Sequence, residues 1–220
     1  EYGVDSTTVA VRAGTRVSRS LKLTREVDTR GWISCDPHIH TFTWSRHGDA
    51  TREERAVTIA GEGIELPVLT DHNVHADLTP DTTLLEFYSV IKGNEITTAF
   101  GHFNSFPVAG DKPVDHRIRN WRELSDRIGN NQSQVIILNH ARDIHQGFRP
   151  FDPTKHVSIA GMRMDGWSFP ANAMEIINSG SQQTDQTQLT HDWFGMLNGG
   201  YAITPVGSSD SHDVRRFLVG

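Results

Sequence analysis

A single cysteine, Cys35, stands in a chain of 220 residues, and that scarcity removes two kinds of scaffold at once. No partner exists for an internal disulfide, and no set of thiolates exists for a thiolate-rich zinc site. Any metal must be held by His, Asp and Glu. Long apolar runs are missing too: nothing approaches the roughly 18 residues of a membrane span, and no basic, apolar, small-residue leader opens the chain. The chain is therefore expected to be soluble, with no membrane partner and no signal peptide. Its first residue is Glu1 rather than Met, so its compartment and its relation to a longer protein stay open. Positive charge is also short. The 21 Lys+Arg against 27 Asp+Glu leave a formal net charge of -6, whereas a protein that grips phosphate backbones shows the opposite balance. A small-molecule substrate is expected and a nucleic acid is not.

What the chain has in excess is histidine: 12 of them, about twice the number average composition would give. The length suits one domain with a real core, or one domain plus a short appendage. Residues 7–27 alternate Val and Leu with polar residues around an Ala-Gly pair, which predicts a β-hairpin and makes residues 1–30 an N-terminal β segment. From Gly31 onward, over residues 31–220, short apolar runs each end in a His or an acid and are followed by polar or helical stretches, the alternation of an α/β fold. Runs starting at Trp32, Leu66, Tyr88, Val135, Ala173 and Ala202 lead into His38-Ile39-His40, Asp71-His72, Glu95, Asn139-His140, Glu175 and Asp210-Ser211-His212. In a barrel of parallel strands such carboxyl ends meet at one mouth. Helices are predicted from Thr51-Arg52-Glu53-Glu54 to Ala60, stopping at Gly61, from Trp121 to Ile128, and from Gln186 to Asn198. The last of these places Leu189, Trp193, Phe194 and Leu197 on one face. Residues 98–108 read as a strand or hairpin crossing the mouth, carrying His102.

His38 and His40 flank one residue, so on an extended segment both side chains point the same way and can grip one ion. Such a pair is weak evidence alone. Asp210-Ser211-His212 repeats the geometry at the last run, and two same-side pairs on the first and last strands are hard to produce by accident. His72 and His140 each follow a buried run, which is also the ordinary place for a hydrogen-bonded histidine at a strand-loop junction. Glu95 and Glu175 end similar runs, where an unpaired buried charge is costly and a cation relieves it. Glu95 can bridge two ions with its two oxygens; Glu175 is equally suited to hold a histidine from behind. His47 falls between the first pair and a helix cap. His116, His156 and His191 sit in polar or helical stretches, and His75 and His145 are undecided. Cys35 reads as a small core residue.

Taken together, these motifs resemble those of the PHP (polymerase and histidinol phosphatase) metallohydrolases: an HxH, a strand-ending DH, a strand-ending H and a final DxH, in that order, over roughly residues 31–216. The Gly31-Trp32 entry, the His47-Gly48-Asp49-Ala50-Thr51 segment and Gly101-His102-Phe103-Asn104 look most similar to the carbaryl-hydrolase-like (CehA/McbA-like) branch. The resemblance implies a distorted (β/α)7 TIM-like barrel preceded by the N-terminal β segment; the departure is that only eight residues follow His212, so the C-terminal helix that covers the last strand in that family is either missing or outside this sequence. It also implies a first ion on His38, His40, Glu95 and Asp210, a second on Glu95, His102 and His140, and a third on His47, His72 and His212.

The activity implied is hydrolysis by a metal-bound hydroxide on two or three divalent ions, Zn, Mn or Fe. A phosphoesterase for small molecules is the first expectation, an ester, amide or carbamate hydrolase the second, and a nuclease or a non-catalytic metal-binding module the remainder. Asp71, next to His72, is placed to orient a ligand or accept a proton. Arg142, two residues past His140, and Arg46 are placed to bind an anionic group, though either could equally be a surface arginine. The oligomeric state is not legible.

Overall fold

Strands form where β-branched and leucine side chains cluster between polar breaks. In the computed structural model, which describes residues 3–79, 82–130, 132–143, 151–164, 169–180 and 185–220, they make two sheets. One is parallel, β1 (Cys35–Ile39), β2 (Leu66–Leu69) and β3 (Ile91–Lys92) in that order. The other runs β4 (Asn94–Thr98), β5 (Gly101–Phe106), β6 (Val135–Leu138), β7 (Ala173–Asn178) and β8 (Thr204–Ser208). Within it β5 is antiparallel to both β4 and β6, while β6, β7 and β8 are parallel.

The distorted (β/α)7 barrel is therefore overturned. The fold is mixed α/β with a three-stranded and a five-stranded sheet, five α-helices among the described residues, and no closed barrel. The physical reason lies at Ala99-Phe100: the register pairs Thr98 with Gly101, so the chain reverses in a two-residue hairpin where a βα unit would have needed a helix. The segment expected to cross a barrel mouth is instead an internal strand of the sheet. Glu95 and Glu175 likewise lie inside β4 and β7 rather than beyond strand ends.

Helices cover the sheets. The first, α1 (Phe42–Ser45), is a single turn. Next, α2 (Arg52–Glu62) starts at the expected capping box, with Thr51 and Glu54 exchanging hydrogen bonds, and ends at Gly63 in the left-handed region at φ 73. It runs past Gly61, which a helix tolerates, to the glycine that can take the left-handed cap. In α3 (Trp121–Gly129), Trp121, Leu124 and Ile128 are buried, one stripe of an amphipathic helix. After α4 (Pro153–His156) comes α5 (Gln186–Asn198), whose inner face is not the expected one. Leu189, Asp192 and Met196 are buried, whereas Phe194 and Leu197 are exposed.

The core is continuous across the two sheets: Val68 of β2 packs with Phe106, Ile137 and Ala173 of the larger sheet. Single bridges tie the end of β1 to the segment after β8, Ile39 with Ser211, and the segment after β2 to β4, His72 with Glu95. These two contacts bring the histidine- and acid-bearing segments together. Beyond β8 the chain forms no helix; Val219 enters the core beside Ile59 and Ile64, and the Gly220 N–H donates to Asp36 Oδ2 at 2.9 Å.

Contacts divide the chain into Glu1–Ile33 and Ser34–Gly220. The hairpin expected over residues 7–27 does not form: residues 3–33 contain no strand. The segment folds back through Gly3 N–H to the Thr24 carbonyl at 2.9 Å and Lys22 N–H to Asp5 Oδ2 at 2.7 Å. Val9, Val11, Leu21 and Leu23 remain exposed, so no buried face fixes a strand register. Cys35, expected in the core, opens β1 as an exposed residue. Among the described residues no helix is long and apolar enough to cross a membrane.

Candidate metal centre

The first strand and the residue after it aim two imidazoles at one point. His38 and His40 are fully buried. His38 Nδ1 lies 2.5 Å from Glu175 Oε1, which leaves Nε2 facing Asp210 Oδ1 at 3.2 Å and Glu95 Oε1 at 3.4 Å. His40 Nδ1 lies 3.2 Å from Ser45 Oγ, and its Nε2 also faces Asp210 Oδ1, at 3.2 Å. Holding one ring nitrogen from behind fixes the other in direction, the arrangement by which proteins orient metal-binding histidines.

From the hairpin, Glu95 enters the centre of the cluster with no exposed surface. His102 Nδ1 is 3.0 Å from its Oε1 and His140 Nε2 is 3.6 Å away, while His72 Nδ1 pairs with Oε2. Asn139 Nδ2 donates to Oε1 and Thr97 Oγ1 to Oε2, each at 2.9 Å. His47 Nε2 lies 2.8 Å from His72 Nε2, and its ring stacks on His212 at 4.3 Å between centroids. His140 and Asp210 have φ 23 and φ 50, left-handed values that cost a residue with a Cβ about 1–3 kcal/mol and concentrate at functional sites.

Four groups of ligand atoms result, each with its atoms within 4.8 Å of one another: His40, His72 and His212; His38, His40 and Asp210; His38, Glu95 and His140; and His72, Glu95 and His102. Buried nitrogens without a hydrogen-bond partner gather here: Nε2 of His38, His40, His102 and His212, and Nδ1 of His140. Each such group costs roughly 1–3 kcal/mol if left unmet, and a cation meets several together. The buried His, Glu and Asp groups could thus hold a metal ion.

The electrostatics fit a site built around positive charge. Burial pushes His38 down, but Asp210 and Glu175 outweigh it and hold the imidazole well above its usual value. Burial likewise opposes His140, which Glu95, Asp210 and Glu175 raise to about 9. Glu95 is held well below the carboxylate range against its own burial, chiefly by His102 and His72. Burial and neighbouring imidazoles push His40 down, and His212 falls to about 4, mainly through burial.

All nine residues expected as ligands, His38, His40, His47, His72, Glu95, His102, His140, Asp210 and His212, are brought to this cluster. Their grouping differs from the family pattern: His102 lies with His72 and Glu95 rather than with His140, and His40 takes part with His72 and His212. Glu175 is the rear support of His38, and it also accepts from the His140 N–H at 2.7 Å, Ser208 Oγ at 2.6 Å and Asn178 Nδ2 at 2.8 Å.

Of the two residues expected in catalysis, Asp71 lies behind His40, where it can orient that ring, and Arg142 is turned away from the cluster. The Asp71 carboxylate accepts from Thr41 N–H at 2.8 Å and Ser45 Oγ at 2.7 Å, so it reaches His40 only through Ser45. Burial raises its pKa. Arg142 is turned onto α5, donating to Asp192 at 2.5 and 2.8 Å and to Gln188 at 2.9 Å. Arg46 is exposed as the left-handed cap of α1. His75 lies against the Gly110 carbonyl at 2.8 Å, and His145 falls outside the described residues.

Sequence reasoning missed Thr97, Asn139, Ser45, Asn178 and Ser208. Thr97 carried a signal, since two residues along a strand share a face with Glu95; Ser45 carried none.

The cluster opens to a cavity of about 410 Å³ lined by His47, His72, Glu95, Thr97, His102, His140, Asp143, Asp210 and His212. A larger cavity of about 790 Å³ between α4 and α5, lined largely by Pro153, Val157, Ile159, Met164, Met196 and Tyr201, contains none of these groups. No protein-family model matches the chain, and no curated protein matches it.

Proposed function

We propose that the chain is a metal-dependent hydrolase of small-molecule esters, with two or three divalent ions, Zn, Mn or Fe, held by the nine clustered residues. The observation that carries the reading is the set of buried, unpartnered imidazole nitrogens around Glu95 and Asp210, opening onto a cavity. An all-nitrogen and oxygen donor set suits these metals. Such ions would supply Lewis acidity, lowering the pKa of water toward neutrality and polarising a phosphoryl or carbonyl oxygen. The chain's own part is positional: Glu175 and Ser45 fix the rings of His38 and His40, and Thr97 and Asn139 fix both oxygens of Glu95. The cavity, at about 410 Å³, falls in the range of small-molecule sites, and with the acidic charge balance it supports a small substrate over a nucleic acid. The resemblance to the PHP metallohydrolases belongs to this proposal and rests on the ligand motifs, not on a barrel.

Phosphoesters remain the first substrate class. The commitment of Arg142 to Asp192 and the presence of Asp143 in the cavity wall favour a second, esters or carbamates without a full anionic charge. The test is metal analysis followed by p-nitrophenyl phosphate, bis-p-nitrophenyl phosphate and naphthyl carbamates assayed side by side, with and without chelator. Chelator-sensitive hydrolysis of one class supports the reading. Protein that holds no metal, and gains no activity from Mn, Zn or Fe, defeats it.

A further inference from the structure

Behind the cluster lies a charge that neither the ligands nor the cavity explains. Arg55, on α2, has no exposed surface. Its Nε donates to the His40 carbonyl at 3.0 Å and its Nη2 to the Ser211 carbonyl at 3.2 Å, with a longer contact from Nη2 to the Asp213 carbonyl at 3.5 Å, while Nη1 is buried without a partner. Burial lowers its pKa to about 10, against the opposing pull of Asp36, Asp71, Asp49 and Asp213. Burying a cation mainly against backbone carbonyls is expensive, and an apolar side chain would fill a helix-sheet interface at less cost.

What distinguishes the two carbonyls is their place in the chain. One belongs to the second histidine of His38-Ile39-His40, the other to the residue between Asp210 and His212. The His40 N–H also donates to the Ser211 carbonyl, at 3.0 Å. One guanidinium therefore ties together the two segments that carry the same-side ligand pairs, beside the left-handed turn at Asp210. The group of His72, Glu95 and His102 has separate supports, in the β4–β5 register and in Thr97 and Asn139.

We propose that Arg55 is a positioning residue of the metal centre: by clamping the His40 and Ser211 carbonyls it sets the geometry of the ligands His38, His40, Asp210 and His212, and leaves the His72, Glu95 and His102 group unaffected. The proposal rests on the metal-centre reading above. It is tested by titrating metal-free protein with Co(II), following stoichiometry, affinity and the visible absorption bands, in wild type, Arg55→Met, Arg55→Gln and Arg55→Lys, with circular dichroism to monitor the fold. Arg55→Met should keep the fold, lose at least tenfold in affinity for one ion with altered bands, and bind the other ion as wild type does. Arg55→Lys, which restores a charged donor, should recover part of that loss. If Arg55→Met does not fold, Arg55→Gln carries the same comparison. A folded neutral variant with wild-type affinity, stoichiometry and bands overturns the proposal, and so does loss of all metal binding together with the fold in both neutral variants, which would make Arg55 purely structural. Wild-type protein that binds no Co(II) overturns the metal-centre reading itself, a result distinct from either.

Discussion

Glu95→Gln is the substitution on which the organisation of the centre turns. Glu95 belongs to two of the four ligand groups, and its oxygens lie 3.0, 3.4 and 3.6 Å from nitrogens of His102, His38 and His140. The amide keeps the shape and removes the charge. It also turns one acceptor into a donor, facing the Asn139 amide or the Thr97 hydroxyl, each at 2.9 Å. With an effective dielectric near 20, opposite unit charges about 4 Å apart interact by roughly 4 kcal/mol, and a divalent ion feels more. Losing even that much corresponds to about a thousandfold in affinity, and in the proposed centre it would fall on both ions that share the carboxylate. Metal content after gel filtration, measured by elemental analysis, should fall by more than one equivalent in Glu95→Gln but by about one in His140→Ala. Full metal content and wild-type hydrolysis in Glu95→Gln would refute the shared-carboxylate assignment.

Three further outcomes follow from the same geometry. Glu175→Gln, which disturbs the contact to His38 Nδ1 at 2.5 Å, should weaken metal binding by about 10–100-fold with unchanged stoichiometry at saturating metal; a site lost even at saturation would make Glu175 a direct ligand. Removing metal with a chelator should lower the melting temperature, because ligand present at about a thousandfold over its Kd stabilises by roughly 4 kcal/mol; an unchanged melting curve would mean that the cluster holds nothing. Metal binding should also expel protons. His140, raised to about 9, and His38, held against its burial well above its usual value by Asp210 and Glu175, carry protons at neutral pH in the metal-free protein and must lose them to coordinate. Affinity should therefore climb with pH from neutrality up to about 9, and calorimetric heats should vary with buffer ionisation enthalpy; heats independent of the buffer would contradict the proton assignment.

The sequence by itself singled out the nine residues of the cluster and much of the local structure. His38-Ile39-His40 and Asp210-Ser211-His212 were legible because side-chain direction repeats every two residues on extended chain. The start of α2 was legible because a capping box is a short-range hydrogen-bond pattern, and the bounds of α5 because Gly199 and Gly200 follow it. Local patterns do not say which way a strand runs in a sheet. The reversal at Ala99-Phe100 made β4 and β5 antiparallel and replaced a barrel with two sheets. The valines and leucines before Cys35 stay exposed, so an alternating pattern yielded no strand. Long-range pairing likewise decided the support of the centre. Glu175 lies 137 residues from His38 and Arg55 lies 156 from Ser211, distances at which spacing carries no information. Arg142, apparently placed for an anion, met Asp192 on α5 instead. The donors were written in the sequence; which of them come together, and what holds them still, was settled only where the folded strands meet.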